Sequence, residues 1–420
     1  MEVHLENVRS FCDGHDIPLE PLTLLVGENS TGKSTFLAML SHLSRPEFDS
    51  LRPSFNIPPF DLGTYDTIAT FKGGRYGRAD SFSVGFTEDV RGEDGPRKMV
   101  AKYINYKGQP QLQQYTASMP SGSISLDMRS GATAAQGIIQ FAGSKPREFP
   151  LNPRAVEEGV PVSFLLRLSL SERPELEAQK MFQLFRILTQ SATIPALALA
   201  PIRTKPRRTY DEFSDEFKPE GDHIPVMLAR IWQEEKEPQK ARLFEALNAF
   251  GKSSSLFKHI GVRRLGKSPT DPFQILVTTA GPPANLPDVG YGVSQALPLV
   301  VQSVMASERR RLLIQQPEVH LHPRGQAELG SFFARLVARG QKEFVIETHS
   351  DYLLDRIRVE VARGTVSGAD VLILFFEKDG LETYIHKIRL DSAGNVLGAP
   401  SSYRSFFLQE EASLFSRVGD

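Results

Sequence analysis

The sequence is poor in the features that mark secreted, membrane-spanning or strongly charged proteins. It has one cysteine in 420 residues, which excludes an intramolecular disulfide and fits a reducing compartment. No apolar run is long enough to span a bilayer, and the N-terminus lacks the basic-then-apolar pattern of a secretion signal. The 49 basic and 50 acidic side chains nearly cancel. These absences predict a soluble, cytoplasmic protein without a membrane partner, whose length allows about two or three domains.

What the sequence does contain is a phosphate-binding pattern near its N-terminus. Residues 27–34 read G-x-x-x-x-G-K-S, after an apolar, β-prone run and before a helix-like segment. The glycines allow the backbone N–H groups to face phosphate oxygens, the lysine supplies a positive charge, and the serine hydroxyl can bind Mg²⁺. The pattern predicts nucleotide binding by a continuous segment, namely Gly27, Glu28, Asn29, Ser30, Thr31, Gly32, Lys33, Ser34 and Thr35.

Hydrophobic periodicity predicts the order of elements along the chain. Strands are expected at residues 2–10 and 17–26, a β-meander at 80–128, and a Gly/Ala/Pro-rich loop at 131–160. Helices are expected around Met181, Phe185 and Leu188, around Leu228, Ile231 and Trp232, and around Leu243, Leu247 and Phe250. From residue 273 onwards strands and helices alternate, which predicts a mostly parallel sheet covered on both faces.

A basic stretch interrupts the helical section. It carries four cations, Arg203, Lys205, Arg207 and Arg208, followed by Tyr210. One interpretation is a solvated basic loop. The other is contact with phosphates, either of a nucleotide or of nucleic acid.

Three polar clusters follow predicted elements in the C-terminal half. Gly290-Tyr291-Gly292-Val293-Ser294-Gln295 opens a helix, Gln315-Gln316-Pro317-Glu318-Val319-His320-Leu321-His322-Pro323 follows a buried strand, and Glu347-Thr348-His349-Ser350-Asp351 follows the next strand. Together with the glycine-rich loop they resemble the motifs of ABC-class (AAA-type) ATPases. The resemblance is to the SMC/RecF/OLD-like branch of DNA repair and prokaryotic anti-phage defence, in particular its stand-alone proteins without a TOPRIM nuclease. It covers residues 1–70 and 285–377.

The resemblance implies roles for individual residues. Gly292, Val293, Ser294 and Gln295 would be the signature segment that caps the γ-phosphate of ATP held by another subunit. Gln315 would stand at the Mg²⁺ position together with Ser34, and Gln316 at the position of the catalytic glutamate. His349 looks like the switch histidine, His322 stands at the D-loop position, and residues 61–63 are the candidate Q-loop. The spacing of His320 and His322, with no cysteine nearby, argues against a metal other than Mg²⁺.

The implied fold is a P-loop NTPase of ABC type, an α/β protein with an antiparallel β-subdomain and an inserted helical region. We expect an ATPase head formed by residues 1–70 and 257–420, a β-rich insertion at 71–160, and a mainly helical insertion at 161–256.

Three functions remain open. The first is a homodimeric ATPase with bound ATP and Mg²⁺ that gates a separately encoded effector, such as a nuclease or toxin, with nucleic acid as a further candidate partner. Hydrolysis is expected to be slow because glutamine lacks the charge and basicity of glutamate. The catalytic candidates are Gln316, at the position of the catalytic glutamate, and the nearby Glu318 and His349. The second is a nucleotide-dependent scaffold or sensor that hydrolyses almost nothing. The third, the ATPase part of an OLD-like nuclease system, is disfavoured because few residues follow 371–380.

Overall fold

The structure is a computed structural model that describes residues 1–74, 77–89, 95–128, 135–151, 195–211, 214–233, 237–268, 270–307, 310–340 and 342–403. The helix expected around Met181, Phe185 and Leu188 lies outside the described residues.

The described strands and helices have the following bounds. The strands are β1 Glu2–Glu6, β2 His15–Pro18, β3 Leu22–Gly27, β4 Asn56–Ile57, β5 Phe60–Asp61, β6 Phe71–Gly73, β7 Gly77–Arg78, β8 Ser81–Asp89, β9 Pro96–Tyr106, β10 Gln109–Met119, β11 Gly122–Met128, β12 Ala135–Phe141, β13 Arg147–Leu151, β14 Ala196–Leu199, β15 His259–Arg264, β16 Phe273–Thr278, β17 Ala284–Asn285, β18 Arg311–Gln315, β19 Glu343–Glu347, β20 Val371–Asp379, β21 Glu382–Leu390 and β22 Val396–Leu397. The helices are α1 Lys33–Leu43, α2 Tyr65–Ile68, α3 Ile224–Gln233, α4 Glu237–Ser254, α5 Tyr291–Met305, α6 Pro323–Ala338 and α7 Asp351–Ala362, with short 3₁₀ helices at Pro46–Asp49, Leu286–Asp288 and Gly368–Asp370.

The chain divides into two compact units. The first comprises Met1–Leu19, Ser34–Leu197 and Lys378–Thr383, and the second comprises Glu20–Lys33, Ala198–Glu377 and Tyr384–Asp420. These boundaries differ from those expected from the sequence. The N-terminal strand groups with the β-rich unit because β1 pairs with β8. Helix α4 groups with the α/β unit because it packs on α5 and α6.

The first unit is built on one eight-stranded sheet in the order β13-β12-β11-β10-β9-β8-β1-β2. Its successive strands β8 to β11 confirm the meander expected at residues 80–128. The prediction of a loop at residues 131–160 is wrong for residues 135–151, the part that the structure describes. This part contains the antiparallel strands β12 and β13. The glycines and alanines of the surrounding segment, residues 131–143, hide the strand pattern. Pairing with an existing sheet edge, together with the buried Ile139, supplies what local propensity does not.

The prediction of one continuous strand at residues 17–26 is also wrong. The segment contains two strands in different sheets. β2 belongs to the eight-stranded sheet of the first unit, and β3 belongs to a seven-stranded sheet in the second unit. Pro18 and Pro21 stand at the break between the two strands. Because proline has no backbone N–H to donate, it interrupts a strand ladder.

The second unit contains a seven-stranded sheet in the order β14-β18-β19-β3-β20-β21-β22. The pairs β18–β19, β19–β3 and β3–β20 are parallel, which confirms the α/β fold with a largely parallel sheet. β20 and β21 are neighbours joined through Gly380, whose positive φ of 57° suits a glycine in a tight turn. β15, β16 and β17 form a separate small sheet.

Helices cover the parallel sheet of this unit. The apolar side of α6 is buried, and α6 packs against α7. The central strand β3 is buried from Leu22 to Val26, as expected for a parallel strand covered on both faces. No helix in the described part of the chain combines the length and apolarity needed to cross a membrane.

Candidate functional site

Three parallel strands end together at one edge of the sheet. Gln315 of β18 is in register with Glu347 of β19, and Glu347 is in register with Leu25 of β3. Past the strands, the backbone N–H of Gln316 donates to the Glu347 carbonyl at 2.8 Å, and that of Thr348 donates to the Leu25 carbonyl at 3.1 Å. The segments after the three strands are therefore bound to one another by backbone hydrogen bonds.

The glycine-rich loop occupies the end of β3. β3 ends at Gly27 and α1 begins at Lys33, as the sequence pattern predicts. Gly27, Ser30 and Gly32 have φ values of 137°, 63° and 103°. A Cβ at Gly27 would lie 2.2 Å from the Phe376 carbonyl oxygen, so only glycine fits beside β20. This left-handed backbone is the geometry that turns successive N–H groups towards an anion.

Lys33 is held inside this loop. The side chain is 3% exposed, and Nζ donates to the carbonyl oxygens of Gly27 at 2.9 Å and Glu28 at 2.5 Å. Burial lowers the pKa of the Lys33 ammonium, while the carboxylates of Glu347 and Glu28 act in the opposite direction. The loop therefore positions a buried cation at the start of α1.

Ser34 and Thr35 follow Lys33 in the first turn of α1. In the first unit, the Thr35 hydroxyl accepts a hydrogen bond from Nη1 of Arg9 at 3.3 Å, and Nη2 of Arg9 donates to the Leu62 carbonyl at 3.3 Å. Burial lowers the pKa of Arg9, and the Asp61 carboxylate partly offsets this effect. The candidate Q-loop, residues 61–63, is thus connected to Thr35 through Arg9. Arg9 belongs to no recognisable sequence motif, so its position here is not predictable from the sequence.

Two glutamines stand at the end of β18. Gln315 is buried, and its Nε2 lies 3.4 Å from Oε2 of Glu347. Gln316 adopts a positive φ of 42°, a conformation that costs a non-glycine residue about 1–3 kcal/mol and is common at functional sites. The structure thus brings Gln315 close to the Glu347 carboxylate, for which the motifs imply no role.

Glu318 connects the two polar turns. Its Oε1 accepts a hydrogen bond from the His349 backbone N–H at 2.7 Å, and its Oε2 accepts one from the Thr348 hydroxyl at 2.9 Å. Partial desolvation and the Lys33 charge lower the pKa of His349, against the carboxylates of Glu318 and Glu347. The shift favours the neutral form of the His349 imidazole.

Arg203 of the basic stretch lies beneath this site rather than on the surface. Its side chain is 2% exposed, and Nη2 donates to the carbonyl oxygens of Gln315 at 3.3 Å and Gln316 at 3.4 Å. Nε and Nη1 have no hydrogen-bond partner among the described residues. Burial lowers the pKa of Arg203 to about 10, and the Glu318 carboxylate acts against this shift. The buried position does not fit the predicted contact with nucleic-acid phosphates.

The other cations of the stretch are exposed. Arg208 makes a two-pronged ion pair with Asp288. Arg207 donates its backbone N–H to the Tyr210 hydroxyl at 3.0 Å, and the Tyr210 ring stacks on Phe273. Lys205 and Arg207 expose their side chains to solvent. The stretch is therefore anchored at Arg203 and Tyr210, with charged side chains exposed between the two anchors.

The segment expected to act as a signature opens α5. Ser294 is buried, and its hydroxyl donates to the Tyr291 carbonyl at 2.7 Å. Val293 and Gln295 are buried as well, and Gln295 Nε2 has no hydrogen-bond partner among the described residues. Gly292 is half-buried and Tyr291 is 41% exposed. The start of the helix, rather than the Ser294 hydroxyl, is what this segment presents to solvent.

The two histidines of the cluster after β18, His320 and His322, have local roles. His322 caps α6 by accepting the Arg324 backbone N–H at 3.3 Å. His320 packs edge-on against the Tyr291 ring, with ring centroids 5.0 Å apart. Among the described residues no group of histidine, cysteine, aspartate and glutamate side chains forms a metal cluster.

Together, the largely parallel sheet and the glycine-rich loop between β3 and α1 define an α/β protein with a P-loop. Residues 179–354 match the family model described as "AAA ATPase domain", which spans less than half of the chain and contains the Gln315 and His349 segments. A comparison with curated proteins finds no match.

Solved structures of SMC heads align over most of the chain at low similarity. The SMC head domain from Thermotoga maritima is 11% identical with a TM-score of 0.38, covering 92% of this chain and 97% of that chain. An Smc head with an extended coiled coil, bound to the C-terminal domain of ScpA derived from Pyrococcus furiosus, is 11% identical with a TM-score of 0.43, covering 100% and 99%. An SmcHead bound to the C-winged helix domain of ScpA is 12% identical with a TM-score of 0.41, covering 93% and 98%.

Proposed function

We propose that the chain is an ATPase that binds ATP with Mg²⁺ and hydrolyses it slowly. The observation that carries this proposal is the left-handed loop that holds Lys33 at the carboxyl end of β3, next to strand ends that carry Gln315 and Gln316. The AAA ATPase domain match supports the same activity. Because neither glutamine can accept a proton as a carboxylate does, activation of water is the step expected to be slow.

The residues of the loop fit a nucleotide triphosphate. Gly27 leaves no room for a side chain, so the backbone itself faces the anion, and the dipole of α1 adds positive potential there. Lys33 would bind phosphate oxygens in exchange for the carbonyls that it now contacts. The Ser34 hydroxyl would hold Mg²⁺ together with the phosphates, and the ion would neutralise phosphate charge when bound.

The same proposal includes a second copy of the chain. The exposed start of α5, around Tyr291 and Gly292, would meet the nucleotide of the opposing subunit through backbone N–H groups. Closure of this pair would gate a separately encoded effector, such as a nuclease or toxin, in anti-phage defence or in DNA transactions. The ATPase part of an OLD-like nuclease system is a further version of this function.

A nucleotide-dependent scaffold or sensor is the second candidate. Glu318, the carboxylate next along the chain from the glutamines, already accepts hydrogen bonds from Thr348 and His349. If it stays so engaged when ATP is bound, hydrolysis would be negligible and ATP binding alone would carry the signal. Turnover measurements separate the two candidates.

Nucleotide binding tests both candidates. Calorimetry should show ATP binding in the presence of Mg²⁺ for the unaltered chain and for Lys258→Ala, whose side chain is exposed and belongs to none of the candidate motifs. Lys33→Ala should bind at least about tenfold more weakly, since it loses a charge-assisted contact of roughly 1.5–3 kcal/mol. Equal binding by the Lys33→Ala variant would overturn the proposal.

Light scattering tests the pairing. We expect the mass to double when a non-hydrolysable ATP analogue and Mg²⁺ are added at micromolar protein, and Lys33→Ala to prevent this change. A monomer with and without the analogue would contradict the pairing but leave ATP binding intact.

A further inference from the structure

One carboxylate is buried at the centre of the candidate site. Glu347 is 4% exposed and ends β19, with Gln315 of β18 and Leu25 of β3 on either side in register. Burying a carboxylate costs several kcal/mol unless a cation or hydrogen-bond donors compensate. A carboxylate at such a position therefore requires a reason beyond packing.

The surroundings of Glu347 supply cationic and polar partners. Nε2 of Gln315 lies 3.4 Å from Oε2 of Glu347. Burial lowers the pKa of Lys33, and of the two carboxylates that oppose this shift Glu347 has the larger effect. Desolvation and the Lys33 charge lower the pKa of His349, and Glu347 is one of the two carboxylates that act against this shift. Glu347 therefore lies within electrostatic reach of both the loop lysine and the His349 imidazole.

The two neighbouring acids lie in different surroundings. Both oxygens of Glu318 already accept hydrogen bonds from the turn after β19. The Glu28 side chain is exposed to solvent. Glu347 combines burial, negative charge and proximity to Lys33.

We propose that Glu347 supplies the carboxylate that favours Mg²⁺·ATP at this site, and that Gln315 positions it by donating a hydrogen bond. The inference rests on the proposed function. Mg²⁺ prefers carboxylate and phosphate oxygens and keeps several of its waters, so one carboxylate next to the phosphate loop is sufficient. The role expected of Gln315 at the Mg²⁺ position is therefore proposed for Glu347, the carboxylate that the Gln315 amide contacts.

A purely structural role for Glu347 gives a different result. If Glu347 only neutralised Lys33, its removal would change ATP affinity by the same factor with and without Mg²⁺. If it favours the metal, its removal would leave metal-free ATP binding unchanged or stronger, because a negative charge near the phosphates is lost. The ratio of the two affinities separates these roles.

The experiment is a titration with a fluorescent ATP analogue in EDTA and in Mg²⁺. For the unaltered chain we expect Mg²⁺ to strengthen binding. In Glu347→Gln this enhancement should fall about 10- to 100-fold, the loss typical of a group that supports a metal site. The control is Glu343→Gln, at the opposite end of β19, where an exposed carboxylate pairs with Arg311. This variant should keep the full enhancement.

An exchange variant guards against misfolding. Gln315→Glu combined with Glu347→Gln keeps one amide and one carboxylate at the same pair of positions and should restore most of the enhancement. Full enhancement in Glu347→Gln, or equal losses with and without Mg²⁺, would overturn the inference and leave the proposed function standing. Failure of the unaltered chain to bind the analogue under either condition would instead refute the proposed function.

Discussion

The Glu318 carboxylate accepts a hydrogen bond from the backbone N–H of His349 at 2.7 Å. This contact joins the turn after β18 to the turn after β19, and the Thr348 hydroxyl adds a second bond at 2.9 Å. A carboxylate bound to two donors is fixed in position. Glu318 is therefore well placed to orient His349.

This arrangement predicts how turnover depends on the two positions. Gln316→Glu should raise the rate of ATP hydrolysis by about 10²–10⁴-fold, the usual contribution of a general base. Glu318→Ala should lower the residual rate of the unaltered chain, because His349 loses its backbone anchor. Single-turnover assays with Lys33→Ala as the blank measure both effects. Rapid hydrolysis by the unaltered chain that Glu318→Ala does not affect would show that the catalytic groups lie elsewhere.

The parallel core was predictable because its strands are continuous apolar runs with polar clusters at their ends. Residues 312–314 and 344–346 are fully buried, and the clusters after them meet at one sheet edge as the strand order requires. Strands β12 and β13 were not predictable in the same way. Their pairing depends on an existing sheet edge, which local composition does not encode.

The site was predictable as motifs but not as contacts. Arg203 looks like the other cations of its stretch, and its burial follows from hydrogen bonds to residues more than a hundred positions away. Glu347 belongs to a recognised polar cluster, but its partner Gln315 is 32 positions earlier in the chain. Contacts of this kind depend on strand register, which a motif does not report.

The burial of Arg203 predicts a large effect on stability. Arg203→Met should lower the free energy of unfolding by about 1.5–3 kcal/mol, the range for hydrogen bonds to a charged group, because the carbonyls of Gln315 and Gln316 lose their donor. Arg208→Met removes an exposed ion pair and should cost at most about 1 kcal/mol. Urea unfolding compares the two variants. Equal losses would mean that the carbonyl contacts of Arg203 add nothing to stability.

The exposed cations of the basic stretch predict a salt dependence if they meet nucleic acid. Lys205, Arg207 and Arg208 would each displace counterions from a phosphate, so replacing all three with alanine should reduce the slope of log K against log salt by about 2–3. Arg203 is left unchanged because it is buried. Fluorescence anisotropy with a labelled duplex measures the slope. A slope that is the same in the triple variant would assign these side chains to solvent or to a protein partner.

A buried histidine in the first unit predicts a pH dependence of stability. Burial lowers the pKa of His42 from 6.5 to about 3, where its ring stacks on Phe55 at 4.0 Å. Between these values the unfolded chain binds a proton that the folded chain excludes. His42 therefore stabilises the fold fully above pH 6.5, and this contribution falls by about 1.4 kcal/mol for each pH unit below it. Denaturant titrations from pH 7 to pH 5 should show this slope in the unaltered chain and in His320→Gln, an exposed control. In His42→Gln the free energy of unfolding should change less steeply with pH, by about 1.4 kcal/mol per pH unit, because one proton fewer is taken up on unfolding. A slope that His42→Gln leaves unchanged would mean that other groups control the acid sensitivity of this unit.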